Sequence, residues 1–176
     1  MAEKLYDVAP LEGSDLQIGL LLSMLEEGTI EWREELGAVS EEAVVWQPVP
    51  NGHSIGGVIL HIADVEAFWL HEVAVGHKRS QEEIERLLSQ ETQQYQGIWP
   101  KCPHEPLSWY LEQHDEIRQR TRQYLAGLMD SQETRNREGR DSEYTVRWLL
   151  SHVIIHEAYH AGQAVLLSLQ WNAQFK

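Results

Sequence analysis

The sequence predicts an all-α fold, on three observations. Apolar residues recur three and four positions apart over most of the chain, which is the period of a helix with one buried face. No run alternates apolar and polar residues convincingly enough for a half-buried strand. Proline and glycine collect in a few connections, and these divide the chain into separate helical segments. At 176 residues and 42% hydrophobic composition, the segments suffice for a single domain over residues 1–176 with a sizeable core. No internal repeat, low-complexity tract or second-domain boundary argues otherwise.

The first helix is expected to start at Ser14, whose hydroxyl can cap free amides, and to run to about Leu36. Leu16, Leu20, Met24 and Leu25 form its expected buried stripe, with Glu26, Glu27, Glu34 and Glu35 outside. The connection "VVWQPVPNG" carries Pro48, Pro50, Asn51 and Gly52, which stop helix propagation and favour turns. Ser54 then caps a second helix, "SIGGVILHIADVEAFWLHEVAVG", whose Ile55, Val58, Ile59, Ile62, Val65, Phe68 and Trp69 make a broad apolar side and whose stop is Gly76. A shorter helix is expected in "SQEEIERLLSQETQQY", followed by a rigid crossover through Gly97, Pro100, Pro103 and Pro106. A long crossover suits a bundle that departs from simple up-and-down order. The third long helix is expected from Leu107 to Met129, the polar stretch "DSQETRNREGRDSE" as a loop, and the fourth helix from Thr145 to Trp171.

A net charge of -14 sets a repulsive mean field against polyanions, so no nucleic-acid partner is expected. Arg118, Arg120, Arg122, Arg135, Arg137, Arg140 and Arg147 fall in one stretch, but acidic and polar residues interrupt them, and they read as a solvated helical face and loop. The one cysteine, Cys102, rules out an internal disulfide framework and suits a reducing compartment. "MAEKLYDVAP" lacks a basic region followed by an apolar one, and the apolar runs are interrupted by His, Glu and Gln. The expectation is a cytoplasmic protein without a membrane partner.

The histidines carry the chemistry. In "HVIIHEAYHAGQ", His152, His156 and His160 stand four apart inside an otherwise apolar helix. Positions four apart share a face, roughly 6 Å apart along the axis, so His156 and His160 can grip one metal ion. His152 has drifted further round the helix, and a third ligand is better supplied from a facing helix. His61, alone among apolar neighbours in the second helix, is the candidate, because a buried imidazole needs a partner to offset its desolvation. His152 then lines the substrate path or orients a ligand. His53, His71, His77, His104 and His114 lack such a partnership and read as surface or loop residues. Cys102 near His104 in the rigid "CPHEP" makes a poor nucleophile pair.

"HEAYH" also matches H-E-x-x-H, the helix that supplies zinc proteases with two ligands and a general-base glutamate, here Glu157. The third protease ligand is usually downstream, and Ala161–Lys176 contains neither His nor Glu. Glu157 is better read as a salt-bridged residue or one that supports the ligands.

Ser54–Glu66, "SIGGVILHIADVE", and His156–Gln163, "HEAYHAGQ", resemble the DinB and YfiT-like superfamily of bacterial metal-binding four-helix bundles. The resemblance covers most of the chain in helix order. It implies an up-down-down-up bundle with the long crossover between helices two and three, a homodimer, and metal ligands at His61, His156 and His160. For activity it implies a metal-dependent enzyme joining a small thiol such as bacillithiol or mycothiol to an electrophile, a thiol-dependent isomerase also being known in the superfamily. A metal-dependent hydrolase and a non-catalytic metal-binding or stress-related bundle are the other readings. Three imidazoles leave a coordination position open for a thiol or water, and they suit zinc, nickel or iron equally, with zinc or nickel preferred here.

Overall fold

The structure is a computed structural model that describes residues 7–11 and 14–175. Six α-helices account for most of it: α1 (Leu16–Leu36), α2 (Glu41–Val45), α3 (Ile55–Glu66), α4 (Gln81–Arg86), α5 (Leu107–Leu125) and α6 (Val146–Phe175). α3 runs on without a break into a π-helical segment, Ala67–Val73, and a 3₁₀ turn spans Gln94–Gln96. The all-α reading therefore holds in class.

Two corrections concern α1. Its cap is Asp15, whose carboxylate accepts from the amides of Gln17 at 2.9 Å and Ile18 at 3.1 Å, while the Ser14 hydroxyl donates to the Leu11 carbonyl. The buried stripe is also different: Ile18, Leu22, Leu25, Thr29, Trp32 and Leu36 face inward, whereas Leu16, Leu20 and Met24 are exposed. Both stripes have helical spacing, and the polar groups of Thr29 and Trp32 decide between them, because each hydrogen-bonds to the buried Glu157 of α6. A periodicity of apolar residues alone could not register that.

The second long helix starts where expected, with the Ser54 hydroxyl accepting from the Gly57 amide at 3.1 Å, and stops at Gly76, whose φ of 79° few other residues adopt readily. α5 ends at Leu125, short of Met129, and α6 runs on to Phe175. The shorter helix is reduced to Gln81–Arg86, capped by Ser80. The stretch expected as a polar loop instead contains a two-stranded antiparallel ribbon, β1 (Thr134–Asn136) and β2 (Glu143–Thr145), with Arg135 opposite Tyr144. Strands of three residues are too short for an alternation to show, and backbone pairing needs no apolar pattern.

Contacts fix how the long helices run. Thr29 meets Glu157 and Gln17 meets Arg147, so α1 and α6 are parallel neighbours. Arg33 meets Asp115 and Arg122 meets Glu26, so α1 and α5 are antiparallel. Glu66 meets Arg118 and Thr121 while Gly56 abuts Tyr110, so α3 and α5 are parallel. His61 meets His160 while Trp69 meets Trp148, so α3 and α6 are antiparallel. Parallel neighbours need a long return, and residues 74–106 provide it.

The core falls into two apolar clusters. One gathers Ile18, Leu22 and Leu25 with Leu70, Leu125, Leu149 and Val153; the other gathers Trp32 and Leu36 with Ile55, Ile59, Ile62, Ile117 and Leu167. Between them, at one level of all four long helices, lie Thr29, Glu66, Arg118 and Glu157, hydrogen-bonded to one another. The histidines of interest lie at the edge of that level.

Candidate metal centre

α3 and α6 bring three imidazoles together. The ring centres of His61, His156 and His160 are 4.9 Å (His61 to His156), 4.8 Å (His61 to His160) and 4.4 Å (His156 to His160) apart. One nitrogen from each falls in a group whose members all lie within 4.8 Å of one another. Antiparallel packing makes this possible, since the one-turn step from His156 to His160 is spanned by a single side chain from the facing helix.

His61 and His160 are buried and His156 half-buried. Burial pushes the basicity of His61 down to about 4, with the nearby His160 acting in the same direction. Burial, His160 and His61 push His156 down to about 2, and burial also lowers His160. All three are therefore neutral near pH 7, the state in which an imidazole offers a lone pair to a metal. His160 Nδ1 is 2.7 Å from the Gln163 amide oxygen, so it carries the proton and Nε2 carries the lone pair. His61 Nε2 is 3.0 Å from Gln94 Oε1. His61 Nδ1 and His156 Nε2 are buried without a protein partner among the described residues. Orphaned buried nitrogens in a cluster of neutral imidazoles are what a divalent cation would satisfy, and the residues present fit one.

A strap covers the group. Gln93 and Ile98 pair through two backbone hydrogen bonds, and the Trp99 amide donates to the Asn51 carbonyl at 2.9 Å. Buried Trp99 thereby packs edge-on against His61, 5.2 Å away, and beside His53 at 4.1 Å. His61 and His156 also line a cavity of about 510 Å³, together with Phe68, Trp69, Gln94, Arg79, Arg137 and His152. The π-helical segment carries Phe68 and Trp69 into that wall.

His152 sits outside the group. Its ring stacks on Trp148 with planes 6° apart and lies 6.2 Å from His156, so it lines the cavity next to the imidazoles. Glu157 faces away from them. One of its oxygens accepts from Thr29 and Trp32 and the other from Arg118 at 2.6 Å. Burial alone would raise its carboxyl, but His114, Arg118 and Thr29 more than offset this and hold it below the usual carboxylate range. With both oxygens committed, Glu157 is not placed as the general base of a zinc protease. Its pairing with Arg118 agrees with the salt-bridged alternative.

Three residues assigned to the surface or a loop by sequence belong to this buried layer. Arg118, expected on a solvated face, is only 4% exposed and forks onto both oxygens of Glu66 as well as onto Glu157. His114, expected on the surface or in a loop, is fully buried, accepts from Arg33 at Nδ1 and turns Nε2 toward Glu157 at 3.8 Å. His71 is likewise buried, donating to the Thr121 hydroxyl at 2.9 Å, which itself donates to Glu66. The reason is shared: each polar group has its partner on another helix, so no local pattern marks it. Glu66, His114 and Glu157 also cluster as a metal group would, but the Arg118 guanidinium already neutralises their carboxylates. Gln94 was not singled out from sequence and carries no local signal, whereas Gln163, one helical turn after His160, was readable as its partner.

A predominantly helical protein whose facing helices converge three neutral imidazoles, two of them at the wall of a cavity, is, in class, a candidate metal-binding helical protein. Residues 20–168 match the family described as Mycothiol-S-transferase. The match covers most of the chain, and the protein belongs to that family, a DinB and YfiT-like family of metal-binding thiol S-transferases. No curated protein matches the sequence.

Proposed function

We propose that the protein is a metal-dependent thiol S-transferase in which His61, His156 and His160 hold one divalent ion, zinc or nickel ahead of iron, and which joins a low-molecular-weight thiol to a small electrophile. The observation that carries the proposal is the convergence of three neutral imidazoles, two of which, His61 and His156, have orphaned buried nitrogens and line a cavity large enough for small molecules. Family membership supports the transferase reading. A divalent ion held there supplies Lewis acidity, which favours the deprotonated form of a thiol or water near neutral pH. The chain's own groups do the rest. Gln163 fixes the tautomer of His160, Trp99 and the strap limit water above His61, and His152, Phe68 and Trp69 give a substrate an aromatic surface.

The same proposal takes residues 1–176 as one domain and the four long helices as an up-down-down-up bundle, which the helix directions support. It also takes the protein as a cytoplasmic homodimer. Among the described residues no helix is long and apolar enough to cross a membrane. Ile155, Tyr159, Leu166 and Leu169 form an exposed apolar stripe along α6 that a second copy would cover. Sedimentation at micromolar concentration should show twice the monomer mass.

The deciding test is metal analysis of the purified protein, followed by alkylation of small thiols by electrophiles with and without chelator. About one divalent ion per chain is expected, with acceleration lost on chelation and little loss of helicity. Glu157→Gln should keep a substantial part of the activity and cleave no peptide. Absence of affinity for any divalent ion, or robust cleavage of unstructured peptides, overturns the reading.

A further inference from the structure

The cavity holds a second chemical feature beside its imidazoles. Phe68, Trp69 and His152 give it an aromatic lining, extended by Trp148, which stacks on His152. Into this lining reaches Arg137, carried on the turn between β1 and β2, with its guanidinium carbon 5.0 Å from the ring centre of Phe68 and 5.4 Å from that of Trp69. The other guanidinium in the cavity, Arg79, is spoken for by Asp64 and Glu72. Arg137 has no carboxylate within ion-pair distance among the described residues, in a chain whose net charge is -14. A guanidinium lying over aromatic faces keeps its N–H edge free, and that edge matches the two oxygens of a carboxylate. Ser89, Thr92, Gln93 and Gln96 add polar groups to the rest of the wall.

We propose that Arg137 determines specificity by anchoring a flat, carboxylate-bearing acceptor, whose conjugated or aromatic body lies against Phe68, Trp69 and His152 next to His61 and His156. The inference deepens the thiol-transfer reading, on which it rests only in naming the ligand an acceptor. The anion comes from the acceptor and not from the thiol, because the surface beside Arg137 is aromatic and suits a flat partner.

Cinnamate and its neutral amide, cinnamamide, share a shape and differ in charge. Titrated into the full-length protein and followed by quenching of tryptophan fluorescence, cinnamate should bind at least about tenfold more tightly than cinnamamide. Arg137→Gln should erase the preference and leave cinnamamide binding unchanged. Arg140→Gln, an exposed position on the same turn, should behave as the parent protein. The preference should hold in both zinc-loaded and chelated protein. Equal binding of the two probes, a preference that survives Arg137→Gln, or one that vanishes with zinc overturns the assignment. So does displacement of cinnamate by N-acetylcysteine but not by N-acetylcysteamine, which would give the site to the thiol. If the preference holds while no thiol is transferred to any acceptor, the transfer reading fails and this site stands. If transfer proceeds with the two probes bound equally, the reverse is true.

Discussion

At the scale of single residues, the division of labour among the histidines makes a sharp prediction. His61 stands within the group of converging nitrogens and His152 outside it. His61→Ala should therefore abolish tight metal retention, while His152→Ala should keep the metal and change activity. Metal titration of both variants measures this, and retention by His61→Ala with loss in His152→Ala would exchange their roles. Arg118 makes the opposite kind of prediction, since it neutralises two buried carboxylates that do not line the cavity. Arg118→Met leaves them unpaired and should cost about 3–5 kcal/mol in urea unfolding of chelated protein, with metal stoichiometry unchanged. These outcomes also measure what the sequence disclosed. The i, i+4 spacing of His156 and His160 and the apolar setting of His61 named the imidazole group without help. His114 and Arg118 stayed hidden, because what buries them are Arg33, Glu66 and Glu157 on other helices, at sequence separations of 39 residues or more.

At the scale of elements, α3 is the piece on which the rest is assembled. Its Gly56 and Gly57 allow close approach: a Cβ on Gly56 would lie 2.6 Å from the Tyr110 ring, which is itself held when its hydroxyl donates to the Pro103 carbonyl. Gly56→Ala must push apart α3 and α5 and should cost about 1–3 kcal/mol, read as a lower urea midpoint with an unchanged slope. An unaltered midpoint would mean that the α3–α5 contact is looser than it looks. Helix starts were legible where a side chain states them locally, as at Ser54 and Ser80. The face of α1 was not, because Leu16, Leu20 and Met24 repeat with the same period as Ile18, Leu22 and Leu25, and only the hydrogen bonds of Thr29 and Trp32 separate the two. The ribbon of β1 and β2 was equally invisible, since its information lies in backbone pairing. It matters nonetheless, for it is the element that delivers Arg137 to the cavity.

At the scale of the whole molecule, burying neutral imidazoles ties stability to pH. His71 lies in the polar layer away from the imidazole group, and burial pushes it down to about 4, with Glu66 acting in the opposite sense. An unfolded histidine takes up a proton near its ordinary value of 6.5. Between those two values the unfolded chain binds protons that the folded chain refuses, so stability is full above about 6.5 and declines as pH falls toward 4. His61 adds a loss of the same sign over the same window in chelated protein. Glu66 and Glu157, held below the usual carboxylate range by Arg118 among other groups, extend the loss to lower pH, since their contribution is present above the unfolded value of 4.5. The melting temperature of chelated protein should thus fall continuously from pH 7 to pH 4. His71→Gln, which retains a donor for Thr121 without the titrating ring, should flatten the part of that fall between 6.5 and 4 while lowering the plateau above it. A melting temperature indifferent to pH across that window would mean that His71 takes up a proton within the folded state, and that its surroundings are open to water.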